Sequence, residues 1–158
     1  MLEVKNLTKK FGKFTALQDI SLTVEDGCVY GLVGYNGAGK TTLLKNISGI
    51  YRPENGEVLF DGENIWNNEK KKEELFFMPD DLFFAPNSTM NKMAAFYNGY
   101  YKRFSYETFN KLVEAFGLDP NTRIDVFSKG MQRQAEMLFA FSTHPKLLLL
   151  YESCDGID

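Results

Sequence analysis

Eight consecutive residues, Gly34-Tyr35-Asn36-Gly37-Ala38-Gly39-Lys40-Thr41, constrain this chain more than any others. They satisfy the pattern G-x-x-x-x-G-K-[ST] and sit between a short apolar run, CVYGLV (28–33), and an apolar-periodic segment, TTLLKNISGI (41–50). That is the strand–loop–helix setting in which the pattern works as a phosphate cradle. Glycines let the backbone curl so that several N–H groups converge on phosphate oxygens, and the helix N-terminus adds its positive end. Lys40 supplies a point charge for the outer phosphates and Thr41 a hydroxyl ligand for Mg²⁺. CVYGLV therefore reads as a buried strand. Leu43, Leu44 and Ile47 share one face of the following helix, and Gly49 suits its C-terminus.

Composition narrows the class. With 158 residues the prior is one domain, and 44% hydrophobic with 25% charged residues is globular rather than disordered. Eighteen Lys and Arg against 21 Asp and Glu give a net charge of −3, so no basic field points to nucleic acid as the partner. The aliphatic run Leu147–Leu150 is far short of the roughly 20 residues that span a bilayer. The opening MLEVKNLTKKFG has no apolar core of a secretion signal. Cys28 and Cys154 fit neither a zinc pattern nor a CxxC pair and read as reduced thiols.

Around the loop the pattern alternates between strands and helices. Ile20, Leu22 and Val24 alternate with polar residues as a half-buried strand does, and EVLF (57–60) is a second strand closed by the hairpin dipeptide Asp61-Gly62. NNEKKKEE (67–74) reads as a solvated loop or helix face, and LFFM (75–78) as a strand stopped by Pro79. From Ser88 to Ser142 the period turns helical: Phe109, Leu112, Val113 and Phe116 share a face, Ser105 can cap it and Gly117 can end it. LLLLY (147–151) is a final buried strand. The expectation is an α/β fold with a core over 1–79 and 144–158 and a helical subdomain over 80–143.

With these motifs in order, residues 2–158 resemble the ATP-binding domain of ABC transporters, of the export type. The resemblance implies a P-loop NTPase with a mixed sheet core, an antiparallel N-terminal β part and a helical subdomain. VKNLTKKFGKFTALQDISLTVEDG is similar to the family's opening strands, and Phe11 matches the aromatic that meets the adenine ring. FSKGMQRQ (127–134) resembles the signature, with Ser128, Lys129, Gly130 and Met131 where S-G-G-Q is common. Physically, Ser128 can cap a helix whose N-terminus is a second anion site. LLLLYESCDGID (147–158) resembles the Walker B strand with its catalytic Glu, matched by Glu152, and the D-loop Asp, matched by Asp158. Thr42 follows Thr41 in the same nucleotide-binding turn.

Three departures from the family pattern stand out. Tyr151 holds the place of the Walker B Asp, and a neutral phenol is a poor ligand for a hard cation beside a carboxylate. Asp80, in MPDD, takes the Q-loop position and offers a carboxylate oxygen where Gln offers an amide oxygen, so it is expected to recover part of the Mg²⁺ site. The pattern reads as truncated after the D-loop, without the switch His; His144 reads as a loop residue. What the resemblance implies is a subunit that binds MgATP and couples its hydrolysis to transport through a separate permease chain. Such a subunit pairs head to tail with a second one and lies in the cytoplasm against the inner face of the membrane. The segment Phe83–Tyr101 would be its docking surface. The alternative is a subunit that binds nucleotide without hydrolysing it.

Overall fold

A computed structural model describes residues 1–151, which form two compact units, Met1–Lys72 and the described residues from Glu73 onward. Glu152, Asp158 and Cys154 lie outside the described residues.

The first unit is an antiparallel sheet with one helix. Strands β1 (Leu2–Phe11), β2 (Phe14–Val24), β3 (Asn55–Phe60) and β4 (Glu63–Asn64) lie in the order β2-β1-β3-β4. Leu2 and Val4 pair with Val24 and Leu22 on one side and with Phe60 and Val58 on the other, which places the apolar residues on one face. Leu2, Val4, Leu7, Leu17, Val58, Phe60 and Ile65 are buried there with Leu43 and Ile47 of α1 (Lys40–Ile47). Asp61 (φ 51°) and Gly62 (φ 76°) make the expected β3–β4 turn, whose two positive φ values match the twist of the strands. Between Lys5 and Thr8 the β1–β3 register shifts, and Gly56 (φ 79°) sits at that irregularity.

The run 67–74 takes the helical one of its two expected forms and departs from expectation at one residue. It forms the short helix α2 (Glu69–Lys72), and Lys71 is buried rather than solvated. Its ammonium lies 3.2 Å from Glu63 Oε1 and over the Phe60 ring, 5.6 Å from the centroid. The aliphatic stem covers apolar surface while the charge keeps a carboxylate partner.

CVYGLV is the larger correction. Among the described residues 28–33 joins neither sheet, and Val29, Tyr30 and Val33 are exposed. An apolar run announces a demand for burial, but a strand also needs ladder partners for its N–H and C=O groups. No strand of either sheet pairs with it among the described residues.

The second unit pairs β5 (Leu75–Met78) in parallel with β6 (Leu147–Leu150) and adds α3 (Met90–Tyr100), α4 (Tyr106–Phe116), a 3₁₀ turn at Ile124–Val126 and α5 (Lys129–Ser142). Each helix begins on a hydroxyl cap: Thr89 accepts from the Lys92 N–H, Ser105 from Thr108 and Ser128 from Met131. Gly117 ends α4 in the left-handed conformation (φ 66°). The core joins Met90, Met93 and Ala94 of α3 to Phe109 and Val113 of α4 and to Ala135, Leu138 and Phe139 of α5, with Phe109 stacked on Phe139 at 5.8 Å. Phe76 and Met78 of β5 pack with Ala140. His144 is a loop residue (φ 47°) whose Nε2 lies 2.9 Å from Thr108 Oγ1, which ties the loop to α4.

Candidate functional site

The loop at 34–41 is shaped by three constraints. Gly37 (φ 86°) and Gly39 (φ 91°) hold left-handed backbone that side chains rarely adopt. A Cβ on Gly39 would stand 2.8 Å from the Ala16 carbonyl oxygen and 2.8 Å from Leu17 Cδ2, so only glycine lets the loop lie against β2. The Ala38 N–H closes a turn onto the Tyr35 carbonyl (3.1 Å).

The result is a concave backbone with a positive rim. The first helical bond of α1 runs from the Leu43 N–H to the Gly39 carbonyl (2.8 Å). The N–H groups of Gly39, Lys40, Thr41 and Thr42 therefore have no intrahelical acceptor. No side chain caps this end, and no acidic residue stands in the first turn to compete for it. Lys40 Nζ donates to the Gly34 carbonyl at 2.6 Å and to the Tyr35 carbonyl at 3.1 Å, which draws the ammonium across the mouth of the loop. Gly34, Tyr35, Asn36, Gly37 and Ala38 are exposed, and Gly39 to Thr42 half-buried. Open amides, a helix N-terminus and a lysine give this loop a positive character that favours negative charge.

Phe11 belongs to the same unit. It ends β1 and pairs with Phe14, two residues before the Ala16 that touches the loop at Gly39. It is 44% exposed, enough to offer a planar surface to a ligand. Its neighbour, missed from the sequence, is Tyr51, whose ring lies edge-on at 5.4 Å. No local pattern marks Tyr51, because it meets Phe11 only when the segment after α1 returns to the sheet.

In the second unit Ser128, Lys129 and Met131 are exposed and Gly130 half-buried at the N-terminus of α5. The Ser128 hydroxyl accepts from Met131, and no acidic residue occupies the first turn. The Ser128 cap expected from the sequence is thus present at the start of α5.

Asp80 has a partner. Arg133, buried in α5, donates to the Pro79 carbonyl (2.9 Å), the Asp80 carbonyl (2.7 Å) and Asp80 Oδ1 (3.0 Å). No local sequence pattern marks Arg133, because its acceptors lie some fifty residues earlier in the chain. It is the clamp that fixes the backbone after β5, and a cation on the carboxylate weakens its claim on a second cation. Tyr151 follows β6, its N–H donating to the Met78 carbonyl (3.1 Å), and brings no carboxylate to the strand end. Among the described residues no group of three or more His, Cys, Asp or Glu is placed to hold a metal ion. Thr41 remains as the hydroxyl donor beside the cradle.

The buried carboxyl of Glu136, also in α5, completes the charged interior of the second unit. Its Oε2 finds no hydrogen-bond partner, and burial pushes its pKa up to about 7 against a smaller opposing pull from Arg133.

The sequence matches the ABC transporter family over residues 17–155. It is 33% identical over 158 residues to the ABC transporter ATP-binding protein YtrB of Bacillus subtilis, covering all of this chain and 54% of that protein. It is 30% identical to the probable multidrug ABC transporter ATP-binding protein YbhF of Escherichia coli, covering all of this chain and 28% of the relative. The chain thus spans about half the length of the first of these relatives and less of the second. A solved ATP-binding subunit of an ABC transporter superposes with a TM-score of 0.91 at 26% identity, over 99% of this chain and 68% of that one. No helix among the described residues is long and apolar enough to cross a membrane.

Proposed function

The chain belongs to the ABC transporter family, and on that premise we propose that it is the ATP-binding part of a transporter whose membrane passage is a separate subunit. The observation that carries the proposal is the cradle at 34–41, with free amides at the start of α1 and Lys40 drawn across its mouth. In this reading the N–H groups of Gly39 to Thr42 take phosphate oxygens, and Lys40 exchanges its two loop carbonyls for the outer phosphates. Phe11 meets the base. Thr41 would hold Mg²⁺, which when bound neutralises charge on the phosphates. Ser128, Lys129, Gly130 and Met131 would close the cradle of a second, head-to-tail copy. Glu152 would orient the attacking water and Asp158 would face the partner subunit.

Exposed aromatics support the docking surface for the permease: Phe83, and on α3 the pair Phe96 and Tyr100 with ring centroids 4.8 Å apart. A cytoplasmic position against the inner membrane face follows from that role. The S-K-G-M form of the signature supports export. Residues 80–143 would form the helical subdomain, and 1–79 with 144–158 the core of the nucleotide-binding domain.

Tyr151 favours the second reading, in which nucleotide is held without turnover, because the strand end lacks the carboxylate that helps position a metal. ATP titration of the full chain, with and without Mg²⁺, addresses both. Lys40→Ala is expected to weaken ATP binding about 30-fold, the loss of one strong charge-assisted contact set; unchanged affinity would remove the phosphate cradle from the argument. Mg²⁺ is expected to tighten ATP binding several-fold in Tyr151→Asp and little in the wild type. Equal tightening in both would show that Tyr151 does not disable the metal site.

A further inference from the structure

We infer that Tyr51 is a positioning residue for nucleotide binding, holding Phe11 in register with the phosphate cradle; the inference rests on the reading of Phe11 as the surface that meets the base. Its two halves reach the site from opposite ends of α1. The N-terminal end carries the amides and Lys40. At the C-terminal end the helix stops at Gly49 (φ 71°), whose N–H returns to the Asn46 carbonyl at 3.0 Å. The chain then reverses, and both Ile50 (2.9 Å) and Tyr51 (3.0 Å) donate their N–H groups to the Lys45 carbonyl. The start of the Tyr51 residue is thereby fixed to the helix that opens at the phosphate loop.

The ring is fixed from two sides. Lys45 Nζ of α1 lies over it at 5.6 Å, and Lys9 Nζ of β1 at 5.8 Å. Lys9 also stands over Phe11 at 5.3 Å, so one ammonium bridges both rings. That ammonium is anchored in turn by the Arg52 carbonyl (2.7 Å) and Glu54 Oε1 (3.0 Å). The Lys10 N–H donates to the other Glu54 oxygen at 2.7 Å, and this bond, with Lys9, holds the Glu54 carboxyl below the usual range. Phe11 sits at the turn end of the β1–β2 hairpin, directly before Gly12, where a lone half-exposed ring would sample several rotamers. An edge-to-face partner tied to α1 removes that freedom before the ligand arrives. Tyr51 thus makes the distance between base surface and phosphate amides a property of one helix rather than of a hairpin tip.

The test separates base from phosphate. Affinities of the full chain for ATP and for inorganic tripolyphosphate, which has no base, are measured for wild type, Tyr51→Ala, Tyr51→Phe, Phe11→Ala and the double Ala variant. Tyr51→Ala is expected to weaken ATP about five-fold, within the range of one aromatic pair, and to leave tripolyphosphate unchanged. Tyr51→Phe keeps the ring and should match wild type, and the double variant should bind ATP as Phe11→Ala does. Equal loss for ATP and tripolyphosphate would overturn the inference, since Tyr51 would then be supporting the loop or the fold. Losses that add in the double variant would also overturn it, because Tyr51 would be acting independently of Phe11. If Phe11→Ala weakens ATP and Tyr51→Ala does not, the Tyr51 role fails while the reading of Phe11 stands. If neither changes ATP affinity, the reading of Phe11 fails and takes this inference with it.

Discussion

Gly56→Ala is expected to destabilise the first unit by about 4 kcal/mol, whereas Gly62→Ala, at nearly the same backbone angle, should cost about 1 kcal/mol. Both glycines hold left-handed backbone, Gly56 at φ 79° and Gly62 at φ 76°, so both substitutions carry the same conformational penalty. Their surroundings differ. A Cβ on Gly62 meets nothing within 4 Å, but one on Gly56 would lie 2.3 Å from the Lys5 carbonyl oxygen and 2.4 Å from that of Asn6. Those atoms are backbone and cannot rotate away. Relief requires β1 and β3 to part where their register already shifts between Lys5 and Thr8. The irregularity is held by its own bonds: Asn6 (φ 49°) donates its N–H to Ser21 Oγ (2.9 Å) and its Nδ2 to Asp19 Oδ1 (2.9 Å). Trp66, the only tryptophan in the chain, lies in this unit and reports its unfolding in denaturant. Equal midpoints for the two variants would mean that β1 yields at Lys5 and Asn6, and the close approach would carry no cost.

The same contrast shows what a sequence can and cannot disclose. Features that close within a few residues were legible: the hydroxyl caps at Ser105 and Ser128, the left-handed stop at Gly117, the Asp61-Gly62 turn and the glycine-lysine loop. Each is decided by local backbone chemistry, so its pattern is its cause. Gly56 was not legible as a bulge glycine, because the carbonyls that require it belong to a strand some fifty residues earlier in the sequence. Arg133 failed in the same way. Nothing in FSKGMQRQ says that its guanidinium will find the carbonyls of Pro79 and Asp80. CVYGLV shows the reverse error: its apolar pattern predicts a strand, but among the described residues no strand pairs with it. The metal site inherits that limit. Asp80 was matched to its position by alignment, and only the fold reveals the cation already on its carboxylate.

Glu136 carries the second large expectation, a loss of stability with rising pH that one substitution should remove. The carboxyl is buried in α5 with Oε2 unpartnered, and burial raises its pKa from the ordinary 4.5 to about 7. Tyr97 feels the same interior: burial first, and then the Glu136 charge, push its phenol well above the usual range. Between pH 4.5 and 7 the unfolded chain has released the Glu136 proton while the folded chain still holds it. The folded state therefore binds more protons, and stability falls as pH rises through this window. The contribution is complete below pH 4.5 and gone above pH 7, and the shift corresponds to about 3 kcal/mol. Glu136→Gln keeps the shape and cannot ionise. Denaturant unfolding followed by the helical signal of α3 to α5 should find it close to wild type at pH 5 and more stable by up to about 3 kcal/mol at pH 8. Because an amide also brings N–H donors into the interior, Glu136→Met serves as the apolar control, with the same flat profile expected. Wild-type and variant curves that run parallel from pH 5 to pH 8 would place the proton elsewhere. Convergence at pH 5 with separation at pH 8 would identify Glu136 as a carboxyl that the fold keeps neutral, leaving Arg133 directed at the Pro79–Asp80 backbone rather than at its own helix.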